Sequence, residues 1–355
     1  MDALLEIIAK YKCDLKRDNE SISDFLRKNF DNYLYDLTNA IKRKDNEVVT
    51  DDMNKMVEKI IPEISDNANE IVDILKLYEK GLLIPSSTKA FSLFEKMKPQ
   101  LMIRYLFKEE SNRYYRIRKY YDDNPFPLER KELFHIPISK NYLVGPERYS
   151  MPGHPCLYLA SQPELAWQEC DKPNKYAIAK FKFITNHDLK FIDFSAHLVP
   201  LSVDFFCWLM NGKDRDKVFE YLLKNLYSYP LRAACSVQVK HKSGKFKEEY
   251  IISQFLLQWI RTDQDFDGVK YISCSNDPEV RYYGGHNIVL VTKEFDSEGF
   301  DINLRKNINI GKPEIFDIEI IKNDTNIIKL ANGDDPLTNP FLWHMSQISD
   351  DYKTI

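Results

Sequence analysis

The sequence predicts an α+β protein, in which an all-α helical bundle precedes a part rich in strands and loops. The first observation is compositional. Residues 1–110 contain one glycine, three prolines and no histidine, whereas the rest of the chain contains ten glycines, fourteen prolines and all seven histidines. Glycine and proline mark turns, so we expect long helices first and shorter elements afterwards. The second observation is that apolar residues recur at three- and four-residue steps before residue 110 and alternate with other residues in segments after it.

Four segments of the first part have the periodicity of amphipathic helices. We expect these helices over residues 21–41, 52–61, 71–82 and 88–107. Gly81 is suited to end the third helix, because glycine readily adopts the left-handed conformation that follows many helices. Pro99 lies inside the fourth helix and is expected to kink it. These segments predict a bundle of four or five helices, assigned to a domain of residues 1–110.

Short strands and helices alternate after residue 110. Tyrosine-rich alternation predicts a strand over Arg113–Arg118, and Cys156–Ala160 predicts a second. Ser161 is then expected to cap a helix, with Pro163 in its first turn and Glu164 completing a capping box. We expect further strands at 176–183, 189–194, 269–273 and 287–292, and further helices at 201–211, 214–226 and 250–261. The C-terminal extension, residues 296–355, is expected to add edge strands at 302–310 and 315–321.

Charge and composition exclude several classes of function. Fifty Lys and Arg against 54 Asp and Glu leave a net charge of −4, which argues against a nucleic-acid or membrane-surface partner. The longest mostly apolar run, Leu201–Met210, is too short to span a bilayer. No secretory signal is visible at the N-terminus, so secretion is not expected. Six cysteines without a C-x-x-C pair predict reduced thiols in the cytoplasm. His154, Cys156 and Cys170 match no paired zinc pattern, so no metal is expected.

The segment from Leu143 to Cys170 contains the side chains best suited to a catalytic site. Arg148 lies in a loop rich in glycine and proline, Tyr158 follows on the predicted strand, and Glu169 follows on the predicted helix. Each of these residue types is common at protein surfaces, so the three side chains alone do not establish a shared site.

Four ordered blocks around these residues resemble the RES domain family, which is named for its Arg, Glu and Ser. The blocks are Tyr114-Tyr-Arg-Ile-Arg118, Arg148-Tyr-Ser-x-x-Gly153, Leu157-Tyr-Leu-Ala160 and Ala166-x-x-Glu169. Farther along, Phe191–Phe194 resembles the family's central strand, while Phe266–Ser273 and Asn287–Leu290 resemble its closing segment. The resemblance covers about residues 110–293, roughly half of the chain. It implies that residues 111–295 form an NAD-binding catalytic domain with a fold similar to ADP-ribosyltransferases.

The resemblance also implies a function. RES domains are the toxins of bacterial toxin–antitoxin pairs, cause growth arrest and consume NAD+. The chain is therefore expected to cleave the nicotinamide–ribose bond of NAD+ as a glycohydrolase or a phosphorylase, with NAD+ as its substrate and no cofactor. Two alternatives remain open: a mono-ADP-ribosyltransferase that modifies a cytosolic protein, and a non-enzymatic module that binds NAD or ADP-ribose.

Block-by-block matching assigns the residues that would act on NAD+. The catalytic set is Arg148, Tyr158, Glu169 and Ser273, and the arginine of the early strand is Arg116 or Arg118. Ser253 and Ser275 remain alternatives for the family serine.

The chemistry suits these residue types. A fixed carboxylate such as Glu169 can bind a ribose hydroxyl and stabilise an oxocarbenium-like charge. Guanidinium groups of Arg148 and Arg116 can bind the pyrophosphate. Tyr158 can stack on the nicotinamide, and Ser273 can donate a hydrogen bond to the ribose or a phosphate.

The helical N-terminal part loosely resembles the HEPN-type domains that precede some RES domains. HEPN ribonucleases use an arginine and a histidine, and residues 1–110 contain no histidine. We therefore do not expect ribonuclease chemistry in residues 1–110. We expect a regulatory or interaction role for them. The expected protein partners are an antitoxin or other regulator, and a further copy of the chain in a homo-oligomer.

Overall fold

The structure is a computed structural model, and it divides into two compact units. It describes residues 3–11, 15–43, 51–106, 113–120, 129–184, 189–195, 215–263, 265–274, 285–317, 348 and 350–355. The helical unit comprises Met1–Arg104, Pro146–Met151 and Phe191–Asn276, and the sheet unit comprises Tyr105–Gly145, Pro152–Lys190 and Asp277–Ile355. The chain passes from one unit to the other several times. The sequence-based boundaries at residues 110 and 295 divide the chain differently and stay a prediction.

The described residues form nine α-helices. They are α1 (Ala3–Lys10), α2 (Ile22–Ala40), α3 (Asp51–Glu79), α4 (Leu83–Met97), α5 (Pro163–Glu169), α6 (Arg215–Tyr227), α7 (Tyr229–Ala234), α8 (Ile251–Thr262) and α9 (Ile302–Asn307). Short 3-10 helices lie at Lys98–Gln100, Arg130–Leu133, Ile138–Leu143 and Glu248–Tyr250. In the helical unit, α2, α4, α6 and α7 pack against α3, and α8 packs against α4. The helical character of the N-terminal part is confirmed, with the helix boundaries corrected below, and helices from later in the chain pack with it.

Ten strands are described. They are β1 (Ile103–Leu106), β2 (Arg113–Lys119), β3 (Cys156–Ala160), β4 (Lys175–Phe183), β5 (Leu189–Asp193), β6 (Gly268–Tyr271), β7 (Asn287–Val291), β8 (Ile308–Gly311), β9 (Glu314–Asp317) and β10 (Tyr352–Lys353). Parallel and antiparallel pairs both occur. Because long helices come first in the chain and a mixed sheet with further helices follows, the α+β class is confirmed. In the helical unit, β5 and β6 pair in parallel, with Phe191 opposite Gly268 and Asp193 opposite Lys270.

The sheet unit is built on an antiparallel sheet with the strand order β7-β3-β2-β4-β8-β10, and β9 also pairs with β4. Tyr158 of β3 lies opposite Val289 of β7, and Tyr115 of β2 lies opposite Ala160 of β3. Helix α5 packs on β2 and β3. The buried residues at this contact include Leu165 and Ala166 of α5 itself and Ile117, Ala160, Tyr176 and Ile178 of the sheet. This packing holds α5, and with it Glu169, over one face of the sheet.

The helix boundaries in the helical unit show which features of the sequence determine where each helix begins and ends. Ser21 caps α2 as its residue type favours, because its hydroxyl accepts the N–H of Asp24 at 3.1 Å. The prediction of separate helices at 52–61 and 71–82 was wrong, because α3 continues through Pro62. A proline inside a helix removes one hydrogen bond. Val57 and Ile64 are both 0% exposed on either side of Pro62, so burial of one continuous apolar face outweighs that loss.

The fourth predicted helix also needs correction. α4 begins at Leu83 rather than 88 and ends at Met97, so Pro99 lies in a 3-10 turn instead of kinking a longer helix. Residues 103–106, predicted as helix, form β1. The carbonyl of Met102 accepts the N–H of Asp193 at 2.9 Å, which pairs this backbone with β5. Gly81 ends α3 as expected, with φ +77° and its N–H donating to Tyr78 O at 2.8 Å.

Two predictions in the sheet unit were wrong. Ser161 does not cap α5, which begins at Pro163 with Gln162 as N-cap and no side-chain cap. The Ser161 hydroxyl instead accepts the N–H of His286 at 2.9 Å. The predicted edge strand at 302–310 is α9 followed by β8. Asp301 caps α9 by accepting the N–H of Leu304 at 2.8 Å, and this local cap explains the helix.

The other predicted strands, at 113–118, 156–160, 176–183, 189–194, 269–273 and 287–292, are confirmed by β2 to β7, and the helices at 214–226 and 250–261 by α6 and α8. The edge strand at 315–321 is confirmed as far as Asp317. The helix at 201–211 lies outside the described residues. In the part of the chain that the structure describes, no helix combines the length and the apolar character needed to cross a bilayer.

Candidate functional site

The residues predicted to act on NAD+ are divided between the two units. The sheet unit contains Arg116, Arg118, Tyr158 and Glu169, and the helical unit contains Arg148, Ser253 and Ser273. Ser275 lies outside the described residues.

Glu169 is the last residue of α5, and its side chain is exposed. Its Oε1 atom accepts a hydrogen bond from Nδ2 of Asn287 at 2.9 Å. Asn287 is the first residue of β7, is 4% exposed, and lies opposite Ala160, the last residue of β3. The hydrogen bond shows that the end of α5 and the start of β7 meet. One oxygen of an exposed carboxylate is therefore held by a buried amide.

The two arginines of β2 have different neighbours, although alternation places both on the same face. Nη1 of Arg116 lies 3.5 Å from the carbonyl oxygen of Tyr158, and Nη2 of Arg118 lies 3.4 Å from that of Phe134. Both side chains are half-buried. Burial lowers the pKa of Arg118, and nearby Glu132 partly opposes the change. Arg116 is the arginine next to Tyr158, which spacing in the sequence did not distinguish.

Tyr158 has the orientation that alternation predicts. It is half-buried between Leu157 and Leu159, which are 0% and 2% exposed. Its side chain therefore leaves the opposite face of the sheet from those two leucines. That face offers an aromatic surface that solvent reaches.

Sequence reasoning missed a cluster around His286, the residue directly before Asn287. Nε2 of His286 lies 3.2 Å from the Tyr114 hydroxyl, and the backbone of His286 forms two hydrogen bonds of 2.9 Å with Ser161. At Gly285 an added Cβ would stand 2.9 Å from Oε1 of Gln162, so only glycine fits there without a shift. The available signal was the Gly-His-Asn triplet directly before a buried strand, where polar side chains need partners.

In the helical unit, α8 holds the loop that contains Arg148. The Ser253 hydroxyl is within hydrogen-bonding distance of the carbonyls of Arg148, at 2.5 Å, and Tyr250, at 3.1 Å. Nε2 of Gln254 lies 3.0 Å from the carbonyl of Glu147 and 3.1 Å from that of Ser150. Ser253 is 0% exposed. Two consecutive side chains of one helix thus bind three backbone carbonyls of this loop, which we call the α8 clamp.

The guanidinium group of Arg148 is itself bound to backbone. Nη1 donates to the carbonyls of Cys235, at 2.9 Å, and Val237, at 3.1 Å. The group also lies 5.0 Å from the ring centre of Tyr250, a cation–π contact. Burial acts to lower the pKa of Arg148, but Cys274 and Tyr250 outweigh it, so the pKa lies above its ordinary value. Ser273, which follows β6, is 3% exposed.

The histidines near the loop have different surroundings. His135 is 0% exposed, with Nδ1 2.8 Å from Ile136 O and Nε2 accepting the N–H of Asp301 at 2.9 Å. Burial lowers its pKa to about 4, so the ring is neutral and structural at pH 7. His154 is exposed. Among the residues described, no group of three or more His, Cys, Asp or Glu side chains forms a metal-binding cluster.

Comparison with known proteins found one informative relative. No protein-family model matches the chain, and no solved structure matches it. A curated Bacillus subtilis (strain 168) protein with the name "Putative toxin YopC" is 27% identical over 289 residues. The similarity covers 77% of this chain and 61% of the relative, so the chain spans about three fifths of the relative's length.

Proposed function

We propose that this chain is a bacterial RES-type toxin that degrades NAD+ by cleaving the nicotinamide–ribose bond, by hydrolysis or phosphorolysis. Three observations support the proposal. Ordered sequence blocks resemble the RES family, and a relative over 77% of the chain carries a toxin name. The observation that carries most weight is the exposed Glu169 carboxylate, oriented by a buried asparagine 2.9 Å away.

The chemistry requires a fixed negative charge beside the ribose. When the bond between C1′ of the ribose and the nicotinamide nitrogen breaks, positive charge develops on the ribose and neutral nicotinamide leaves. Water or phosphate then forms the new bond to C1′; water loses its proton to solvent. A carboxylate held before the reaction stabilises that charge better than a mobile one, because it needs no reorganisation. The Asn287 amide supplies this restraint on Glu169.

Other side chains of the sheet unit fit the binding of the dinucleotide. The half-exposed Tyr158 ring can stack on nicotinamide. Arg116, whose side chain leaves the opposite face of the sheet from Tyr158, keeps the phosphate-binding role that the family resemblance implies. Arg148 and Ser273 keep the roles that the family resemblance implies, the α8 clamp holding the backbone at Arg148. A toxin of this kind also needs restraint by an antitoxin, which we include in the proposal.

The test follows NAD+ and its products by mass with purified protein, with and without inorganic phosphate. Loss of NAD+ only with phosphate, giving ADP-ribose 1″-phosphate, identifies a phosphorylase, and loss without phosphate, giving ADP-ribose, identifies a hydrolase. Glu169→Gln keeps the size and removes the charge, so the rate should fall at least 100-fold. Glu164→Gln, the same change on the same helix, is the matched control and should retain the rate.

The same experiment tests the alternatives. An unchanged rate in Glu169→Gln would contradict the site. Saturable NAD+ binding without loss, unaffected by Glu169→Gln, would favour the non-enzymatic binding module. ADP-ribose attached to an added cytosolic protein, and abolished by Glu169→Gln, would favour the transferase.

A further inference from the structure

The helical unit exposes a group of large apolar side chains at the turn between α3 and α4. Leu82, Leu83 and Ile84 are 46%, 52% and 79% exposed. The turn itself is well ordered by hydrogen bonds, because Ser86 N–H donates to Leu82 O at 3.0 Å and its hydroxyl donates to Ile74 O at 2.8 Å. Three consecutive aliphatic side chains are therefore presented to solvent by a fixed backbone.

Helix stability does not explain these residues. Leu82 is the N-cap of α4 and makes no side-chain cap, and the first turn contains no acidic residue. Ser, Thr, Asp and Asn are preferred at this position, and Asp or Glu in the next turn. Polar residues would stabilise the helix better than Leu82, Leu83 and Ile84 do at these positions. This indicates that the apolar surface serves a purpose other than helix stability.

A fourth exposed apolar residue lies next to this turn. Phe246 is 61% exposed and stacks on Tyr78, with ring centres 5.9 Å apart and planes 3° from parallel. The Tyr78 carbonyl accepts the N–H of Gly81, which directly precedes Leu82. We call Leu82, Leu83, Ile84 and Phe246 the apolar patch. Exposed apolar side chains grouped in this way often mark a binding site on a monomer.

Lysines surround Phe246. The segment 240–247 contains Lys240, Lys242, Lys245 and Lys247 and no acidic residue. Glu248 and Glu249 follow in the sequence, and both pair with the buried guanidinium of Arg17, which compensates one of their two negative charges. Glu249 also accepts the Lys240 N–H at 3.1 Å, which holds the start of the segment. The lysines thus form a basic rim beside the apolar patch.

We propose that the apolar patch and its lysine rim bind a segment of another protein that presents aliphatic or aromatic side chains flanked by aspartate or glutamate. An apolar centre with a polar rim is the usual anatomy of a protein interface.

The other occupants fit less well. A second copy of this chain would bring two lysine segments together, which is unfavourable for like charges. Phe246 lies flat on Tyr78 instead of projecting, whereas a membrane-inserting ring projects into the lipid. Aliphatic side chains offer neither stacking nor hydrogen bonds to nucleic acid. The proposal does not rest on the proposed toxin function, because the surface itself is independent of NAD+ chemistry.

The test selects peptides from a phage-displayed library of random 15-residue sequences on the full-length protein. The variant is Ile84→Asp, and the control is Ile302→Asp, since both isoleucines are exposed in the first turn of a helix. Aspartate suits that position, so neither variant should lose thermal stability. Selected peptides should combine acidic with aliphatic or aromatic residues. They should bind Ile84→Asp at least tenfold more weakly than wild type or Ile302→Asp, and more weakly in high salt.

Several results would overturn the proposal. These are selected peptides without acidic enrichment, equal binding to Ile84→Asp, and no enrichment at all. Concentration-dependent self-association lost in Ile84→Asp would assign the patch to a second copy. Binding to phosphatidylserine vesicles lost in the same variant, without peptide binding, would assign it to a membrane. Because NAD+ loss is measured separately, failure of this proposal is distinguishable from failure of the proposed function.

Discussion

Replacing Asn287 by alanine should lower NAD+ turnover about tenfold while leaving substrate binding nearly unchanged. The change removes the Nδ2 donor 2.9 Å from Oε1 of Glu169 and introduces no competing group. A hydrogen bond to a charged group contributes about 1.5–3 kcal/mol. Because Glu169 is exposed, we take the lower figure of about 1.5 kcal/mol. At about 1.4 kcal/mol per factor of ten, the expected loss in kcat is about tenfold.

The reason for a kcat effect is that Asn287 acts through Glu169 and does not itself contact the ribose. Freed of its donor, the carboxylate samples several rotamers, and only one of them faces the developing charge. Asn287→Asp should reduce kcat further than Asn287→Ala, since it replaces a donor with a second carboxylate at hydrogen-bonding distance. The assay is initial-rate NAD+ consumption across substrate concentration, which separates kcat from KM. Asn309→Ala, a polar truncation on β8 of the same unit, is the control.

A double-mutant cycle tests the mechanism of this effect. If Asn287 acts only by positioning Glu169, then Asn287→Ala should have no further effect on kcat in a Glu169→Gln background. Additive losses would refute this role, because they would mean that the two side chains contribute separately. A fall in kcat matched by a fall in folded fraction would also refute it. Urea unfolding of each variant therefore accompanies the kinetics.

Three further predictions concern stability and the loop at Arg148. Burial lowers the pKa of His135 from 6.5 to about 4. The contribution of His135 to the free energy of unfolding should therefore be complete above pH 6.5 and fall by about 3 kcal/mol as the pH drops towards 4. Urea unfolding at several pH values should show this fall, and in His135→Gln the free energy of unfolding should depend less on pH. Ser253→Ala should lower the Tm by loosening the α8 clamp, whereas Ser273→Ala should lower NAD+ turnover and leave the Tm unchanged. If Ser253→Ala instead lowers NAD+ turnover and Ser273→Ala lowers the Tm, Ser253 is the family serine. Arg17→Met should destabilise the fold by about 3–5 kcal/mol because it leaves the 3%-exposed Glu249 without its cationic partner, and Arg17→Met with Glu249→Leu should recover part of that loss in urea unfolding.

Periodicity predicted the long helices and the buried strands, and the misses have local causes. At Pro62 the sequence contains a helix breaker, yet one apolar face continues across it and burial decides in favour of a single helix. At Ser161 the residues of a capping box are present, but the backbone of His286 competes for the same hydroxyl. At Asp301 a cap converts the start of an expected strand into α9. At Ser161 and Asp301, two structures were each compatible with the local sequence. A contact with His286 decided the first case, and the helix cap decided the second.

For the candidate site, the sequence contained the residue types but not their partners. Spacing placed Arg116 and Arg118 on one face and could not separate them, because the difference lies in which neighbouring carbonyl each reaches. Asn287 belonged to a recognised block, yet nothing in one sequence says that its amide lies beside Glu169, 118 positions away. Hydrogen bonds between distant residues follow from the sheet register, which alternation alone does not determine.

The three candidate serines illustrate what such partners decide. Burial does not separate Ser253 from Ser273, since both are at most 3% exposed. A hydroxyl has a single proton to donate. In Ser253 that proton lies between two backbone carbonyls, those of Arg148 and Tyr250, so in either arrangement it is not available to a substrate. Ser253 thus holds the backbone next to Arg148. A serine with this structural role can be mistaken for the family serine when only the sequence is known. The substitution of Ser273 is therefore the more informative test of which serine acts on NAD+.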